Sequence, residues 1–131
     1  MAQSFAETRN RSTLTPMTRT VAIVEDDAGI RDNLVAMLNG SPGYRCVGAC
    51  GSAEESLAQI PHWKPDVVLM DINLPRMSGI ECVARLKARL PELLVLMLTV
   101  YEDGDSIFRA LKAGASGYLI KRVATDKLLE A

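Results

Sequence analysis

From Thr20 onward the chain switches repeatedly between short, solidly apolar runs and longer stretches whose apolar residues recur every three or four positions. The first pattern predicts buried strands, the second amphipathic helices. "TVAIVE" is a β-branched run and reads as a strand. Asp27 to Asn39 puts Ile30, Leu34, Met37 and Leu38 at helical spacing, and "NGSPG" then breaks the chain. "YRCVGAC" predicts a second strand, weakened by Gly48. "SAEESLAQI" opens on a Ser cap with acids in its first turn, and its helix is expected to end at Pro61. "PDVVLMD" is a third strand, and "SGIECVARLKARL" a helix with Ile80, Val83, Leu86 and Leu90 on one side. "ELLVLMLT" is a fourth strand, and "DGDSIFRALKAG" a helix closed by Gly114. "SGYLIK" is a fifth strand, and "ATDKLLEA" begins a fifth helix.

Strands alternating with helices, and strands apolar throughout, predict an α/β domain with a parallel sheet covered on both faces. In such sheets ligands bind at the carboxyl ends of the strands. Glu25 and Asp26 close the first strand, Asp71 the third, Thr99 the fourth and Lys121 the fifth. One such residue is ordinarily a helix cap or a solvated charge. Five of them on the same rim are not expected by chance.

Composition changes this picture only by exclusion. A chain of 131 residues suits one domain, and 48% hydrophobic with 24% charged residues supports a packed core. With 15 basic and 16 acidic residues, nothing suggests a nucleic-acid or membrane surface. No apolar run approaches the roughly 20 residues of a membrane helix. Residues 1–18 hold no apolar signal core and are expected to form a flexible extension. Cys46, Cys50 and Cys82 show no C-x-x-C spacing, which fits reduced thiols in a cytoplasmic protein. His62 lies beside Trp63 at the far end of the third strand, so no His serves a nucleophile on the rim. No G-x-x-x-x-G-K-[ST] loop cradles a nucleoside triphosphate. Clustered carboxylates raise one another's pKa unless a cation neutralises them. All-oxygen ligands favour Mg²⁺, with Mn²⁺ as the second choice, over zinc. A carboxylate, a divalent ion, a hydroxyl and an ammonium make an acceptor site for one phosphoryl group.

"VAIVEDD", "VVLMDINLPRMSGIE", "VLMLT" and "GASGYLIK" resemble the receiver domain of two-component response regulators, in order and in spacing. "VYEDGDSIFRALKAGASGYLIK" is most similar to the NarL/LuxR subgroup. The resemblance covers residues 19–131. It implies a flavodoxin-like, doubly wound sheet of order 2-1-3-4-5 with five helices. It also implies that Asp71 is the phosphoacceptor. Asp26, Asp71 and the backbone carbonyl of Asn73 would bind Mg²⁺ directly, and Glu25 through water. Asp27 would begin the next loop. Thr99 matches the switch hydroxyl, Lys121 the phosphate-pairing lysine and Tyr118 the aromatic switch residue. Arg122 stands where many members have proline.

On this resemblance a histidine kinase or phosphotransfer protein supplies the phosphoryl group, and the chain signals rather than turning over a substrate. Homodimerisation would use the side formed by the fourth helix, fifth strand and fifth helix, which carries mixed charge. A metal-dependent phosphatase is the rival reading, disfavoured because Asn73 cannot shuttle a proton. A pseudo-receiver that never takes phosphate is the other, disfavoured by the intact acidic and basic groups. "KLLEA" would leave the fifth helix short, and the DNA-binding helix-turn-helix common in NarL/LuxR proteins is not in these 131 residues. The expectation is a receiver whose control of transcription runs through an output domain outside this chain.

Overall fold

The structure, a computed structural model, describes residues 18–100 and 104–121. In chain order the elements are β1 (Arg19–Val24), α1 (Ala28–Asn39), β2 (Tyr44–Cys50), α2 (Ala53–Trp63), β3 (Val67–Asp71), α3 (Gly79–Arg89), β4 (Leu94–Thr99), α4 (Gly104–Ala113) and β5 (Gly117–Ile120). Every pairing is parallel and the strand order is β2-β1-β3-β4-β5, as the resemblance implied. The expected fifth helix, Arg122 and the N-terminal extension to residue 17 lie outside the described residues.

The central strands β1, β3 and β4 lack a polar face because both of their faces are buried. Val21 and Ile23 pack with Leu34 and Leu38 of α1, beside Leu69 and Leu98. Ala22 and Val24 point the other way, into a core with Ile60 of α2, Val83 and Leu86 of α3, and Ala110 of α4. Alternate residues of one strand thus feed two cores, the arrangement a solidly apolar run requires. Met70 and Met97 are core residues, at 0% and 1% exposure.

Helix starts follow their caps. Asp27 precedes α1 and accepts from the Ile30 N–H at 3.0 Å. Ser52 and Ser78 do the same for α2 and α3, through Glu55 and Glu81. The α2 terminus differs from expectation. The helix runs through Pro61 to Trp63 and stops at Lys64, whose φ of 51° is left-handed. Pro61 has no N–H for the Leu57 carbonyl one turn back. Arg89 of α3 donates to that carbonyl instead, at 3.3 Å, so the lost helical bond is replaced across the interface. Gly48 has an equally non-local cause. The β1–β2 register slips between Val21 and Ala22, and a Cβ on Gly48 would collide with the Trp63 ring.

Candidate functional site

Glu25, Asp26, Asp71, Thr99 and Lys121 meet at the carboxyl edge of the sheet, where the strand-end rule puts them. Glu25 is completely buried. Its N–H bonds to the Cys50 carbonyl at 3.0 Å, and its Oε2 accepts from the Asp27 N–H at 3.0 Å. Asp71 ends β3, is 1% exposed, and accepts at Oδ1 from the Asn73 N–H at 3.0 Å. Asp26 is exposed. Carboxylate oxygens of Glu25, Asp26 and Asp71 lie within 4.8 Å of one another. Lys121 Nζ stands between two of them, 2.8 Å from Glu25 Oε1 and 3.1 Å from Asp71 Oδ2. The contact with Asp71 is a directed hydrogen bond. Glu25 Oε1 is within ion-pair distance of Lys121 but lacks hydrogen-bond geometry, so a fully buried oxygen keeps unused lone pairs.

Glu25, Asp26, Asp71 and Lys121 line an opening of about 630 Å³ with Asp27, Ile30, Asn73 and Val100. A second cavity, about 450 Å³, lies at the other end of the sheet among Pro61, Pro65 and Pro91, and holds none of the candidate residues. Thr99 is 5% exposed at the end of β4. Tyr118 is not on the rim. It pairs with Met97 in the β4–β5 ladder and is 37% exposed. Thr99 is two residues beyond Met97, so Thr99 and Tyr118 are on the same face of the sheet.

Burial pushes the Asp71 carboxyl above its ordinary value, and the neighbouring Asp26 adds to this; the Asn73 N–H and Lys121 oppose it. Burial likewise raises Glu25, against the pull of Lys121 and the Asp27 N–H. Burial alone would lower Lys121, but the adjacent carboxylates of Glu25 and Asp71 outweigh that and raise it. The raised acids have a defined sign in stability. Below 3.8 Asp71 is protonated folded and unfolded. As pH rises past that value the unfolded state ionises first, and stability falls until the raised folded value is passed. The Lys121 contribution is complete below 10.5 and is lost as pH rises through its raised folded value. Wild type without divalent ions is therefore expected to lose stability relative to Asp71→Asn as pH rises from about 3 to neutrality. Denaturant melts of both proteins in chelator across that range check this; parallel curves would contradict it.

The donor set fits a hard divalent cation. It is all oxygen, and one buried carboxylate oxygen has no directed partner. Oxygens around Mg²⁺ at about 2.1 Å are at most about 4.2 Å apart, and the 4.8 Å spread of the three carboxylates is close to that. Three residues near the site were not among the sequence candidates: Ile30 and Val100 at the opening, and Arg31, which donates to the Glu25 carbonyl at 2.7 Å. For Arg31 a signal existed. It is the first basic residue after the acids, one helical turn beyond Asp27.

Fold and rim together define a doubly wound α/β domain with a buried, oxygen-lined acidic centre beside a lysine. The family model for the response regulator receiver domain matches residues 21–131. The chain belongs to that family, which consists of signalling domains with an acidic Mg²⁺ pocket. It is 38% identical over 111 residues to the DNA-binding transcriptional activator DevR/DosR of Mycobacterium tuberculosis, covering 85% of this chain and 51% of that protein. It is 34% identical to the transcriptional regulatory protein DegU of Brevibacillus brevis, covering 85% and 47%. The chain thus spans about half the length of the curated relatives it matches. Among solved structures, the signal receiver domain of NarL from Mycobacterium tuberculosis aligns with TM-score 0.82 at 25% identity, over 88% of this chain and 93% of that one. A LuxR-family response regulator from Aurantimonas sp. SI85-9A1 aligns with TM-score 0.81 at 28% identity, over 87% and 81%. The NarL/LuxR resemblance is upheld by these relatives. Among the described residues, no helix is long and apolar enough to cross a membrane.

Proposed function

We propose that Asp71 accepts a phosphoryl group from a histidine kinase or phosphotransfer protein in the cytoplasm, and that the modified rim shifts the receiver between two states. The observation that carries this reading is the convergence of three carboxylates with Lys121, 2.8 Å from Glu25 and 3.1 Å from Asp71. An Asp71 oxygen forms the new bond to phosphorus as the bond to the donor's nitrogen breaks. Mg²⁺ supplies neutralisation of the phosphoryl oxygens. Asp26, Asp71 and the Asn73 carbonyl would hold it directly, and Glu25 would act through water. Lys121, already beside Asp71, pairs a new oxygen, and the Thr99 hydroxyl bonds another. Tyr118, on the same face as Thr99, follows it. Asn73 offers no acid to hydrolyse the product, which favours a switch over an enzyme with turnover.

The output passes to the side made by α4 and β5. There Phe108, Leu111 and Tyr118 are exposed, Arg109 pairs with Asp105 at 3.6 Å, and Lys112 stands 5.7 Å from the Phe108 ring centre. This mixed apolar and charged surface suits a second receiver copy on phosphorylation. Asp103, Arg122, Asp126, Lys127 and Glu130 lie outside the described residues. DNA binding, which the name of the DevR/DosR relative states, would run through a part of that relative outside the 51% that this chain covers.

The metal part has its own test. At 100 times its dissociation constant, Mg²⁺ is expected to stabilise the folded chain by about 2.7 kcal/mol. Asp26→Asn should remove most of that gain. Asp27→Asn should keep it, because asparagine caps a helix as well as aspartate does. Melts in Mg²⁺ and in chelator measure this, and identical wild-type melts would contradict the reading.

A further inference from the structure

We infer that Arg31 is a positioning residue that fixes the direction of the acidic pair, an inference that rests on the phosphoacceptor reading above. Register pairing of β1 ends at Val24, and the Glu25 carbonyl lies just past it. Arg31, in the first turn of α1, reaches back and donates from Nη1 to that carbonyl at 2.7 Å. On the other side the Glu25 N–H is held by the Cys50 carbonyl at 3.0 Å. The two peptide groups flanking Glu25 are clamped from opposite ends, one by β2 and one by α1. Asp26 is the next residue, and its exposed carboxylate must come within 4.8 Å of Glu25 and Asp71. The plane of the Glu25–Asp26 peptide sets where the Asp26 side chain leaves the chain. A guanidinium bond to that peptide therefore aims a metal ligand without touching the metal.

Space for the guanidinium comes from Gly51. A Cβ there would lie 3.2 Å from Arg31 Nη1, 3.9 Å from the Glu25 carbonyl oxygen and 4.0 Å from Asp26 Cα. Arg31 also bonds through its own N–H to the Asp27 carbonyl at 2.9 Å, the first helical bond of α1. The loop holding Glu25, Asp26 and Asp27 is thus tied to one residue of α1 at two points. A role as a distant counter-charge is the competing account, and salt separates the two.

The experiment is Mg²⁺ titration of the full chain by calorimetry, with far-ultraviolet circular dichroism to confirm folding. Arg31→Met is expected to bind Mg²⁺ about tenfold more weakly than wild type. Arg31→Lys, which can still donate one bond to the Glu25 carbonyl, is expected to recover most of the affinity. The deficit of Arg31→Met should persist at about 1 M salt, where charges more than about 3 Å apart in solvent are screened. Gly51→Ala crowds the guanidinium and should weaken binding in wild type but add nothing in the Arg31→Met background. Folded Arg31→Met with wild-type affinity, or a deficit that vanishes at high salt, would overturn the inference. If Arg31→Met does not fold, Gly51→Ala decides, and unchanged affinity there overturns it. A wild-type chain that binds no Mg²⁺ would instead overturn the phosphoacceptor reading, and the inference with it.

Discussion

Asp71→Asn is expected to reduce phosphoryl incorporation from acetyl phosphate with Mg²⁺ from one group per chain to none. Asp71 combines the properties an acceptor needs. It ends β3, is 1% exposed, and is held by the Asn73 N–H at one oxygen and by Lys121 at the other. Burial disfavours its charge, and Lys121 beside it offsets that cost. Asparagine keeps the shape but has no charged oxygen to attack phosphorus. Asp26→Asn should slow the reaction strongly by removing a metal ligand, and Asp27→Asn should leave it near wild type. Intact-mass measurement reads all three. A phosphoryl group retained on Asp71→Asn would remove Asp71 from its role.

Gly79→Ala is expected to destabilise the fold by about 3 kcal/mol, lowering the melting temperature by roughly 10 °C. Gly79 is buried where α3 starts against the end of β3. A Cβ there would collide with the Asp71 carbonyl oxygen and stand 2.9 Å from its carbon and 3.1 Å from Ile72 Cα. All three are backbone atoms, so no side chain can swing away. The Gly79 N–H is bonded to the Ile72 carbonyl at 2.9 Å and the Ile72 N–H to the Leu98 carbonyl at 3.1 Å, which leaves neither partner free to retreat. The collision falls on Asp71 itself, so phosphorylation should suffer along with stability. A loss below about 1 kcal/mol in a denaturant melt would mean that α3 does not seat against Asp71 in this way.

Much of this was legible in the chain because the signals were local. Apolar runs buried on both faces marked the strands, Ser52 and Ser78 marked helix starts, and the strand-end rule gathered Glu25, Asp26, Asp71, Thr99 and Lys121. What escaped depends on partners far away in sequence. Pro61 reads as a helix stop until Arg89, 28 positions later by number, takes the Leu57 carbonyl. Gly48 reads as a weak strand residue until Trp63 is seen against it. Arg76, between Pro75 and Met77, adopts a left-handed φ of 64° that its residue type gives no reason to expect. No spacing could show that Lys121 bridges Glu25 and Asp71, since that depends on β5 lying two strands from β3 in the sheet. Tyr118 pairs with Met97, two ladder steps from the rim, and its place in the switch comes from resemblance alone.

The most direct test of the account is to locate the phosphoryl group. Wild-type chain would be incubated with acetyl phosphate and Mg²⁺, trapped by borohydride reduction of the acyl phosphate, digested and sequenced by mass spectrometry. The account expects one reduced residue, at Asp71, and none when Mg²⁺ is replaced by chelator. Reduction at Glu25, Asp26 or any other position, or no reduction in the presence of Mg²⁺, would contradict it.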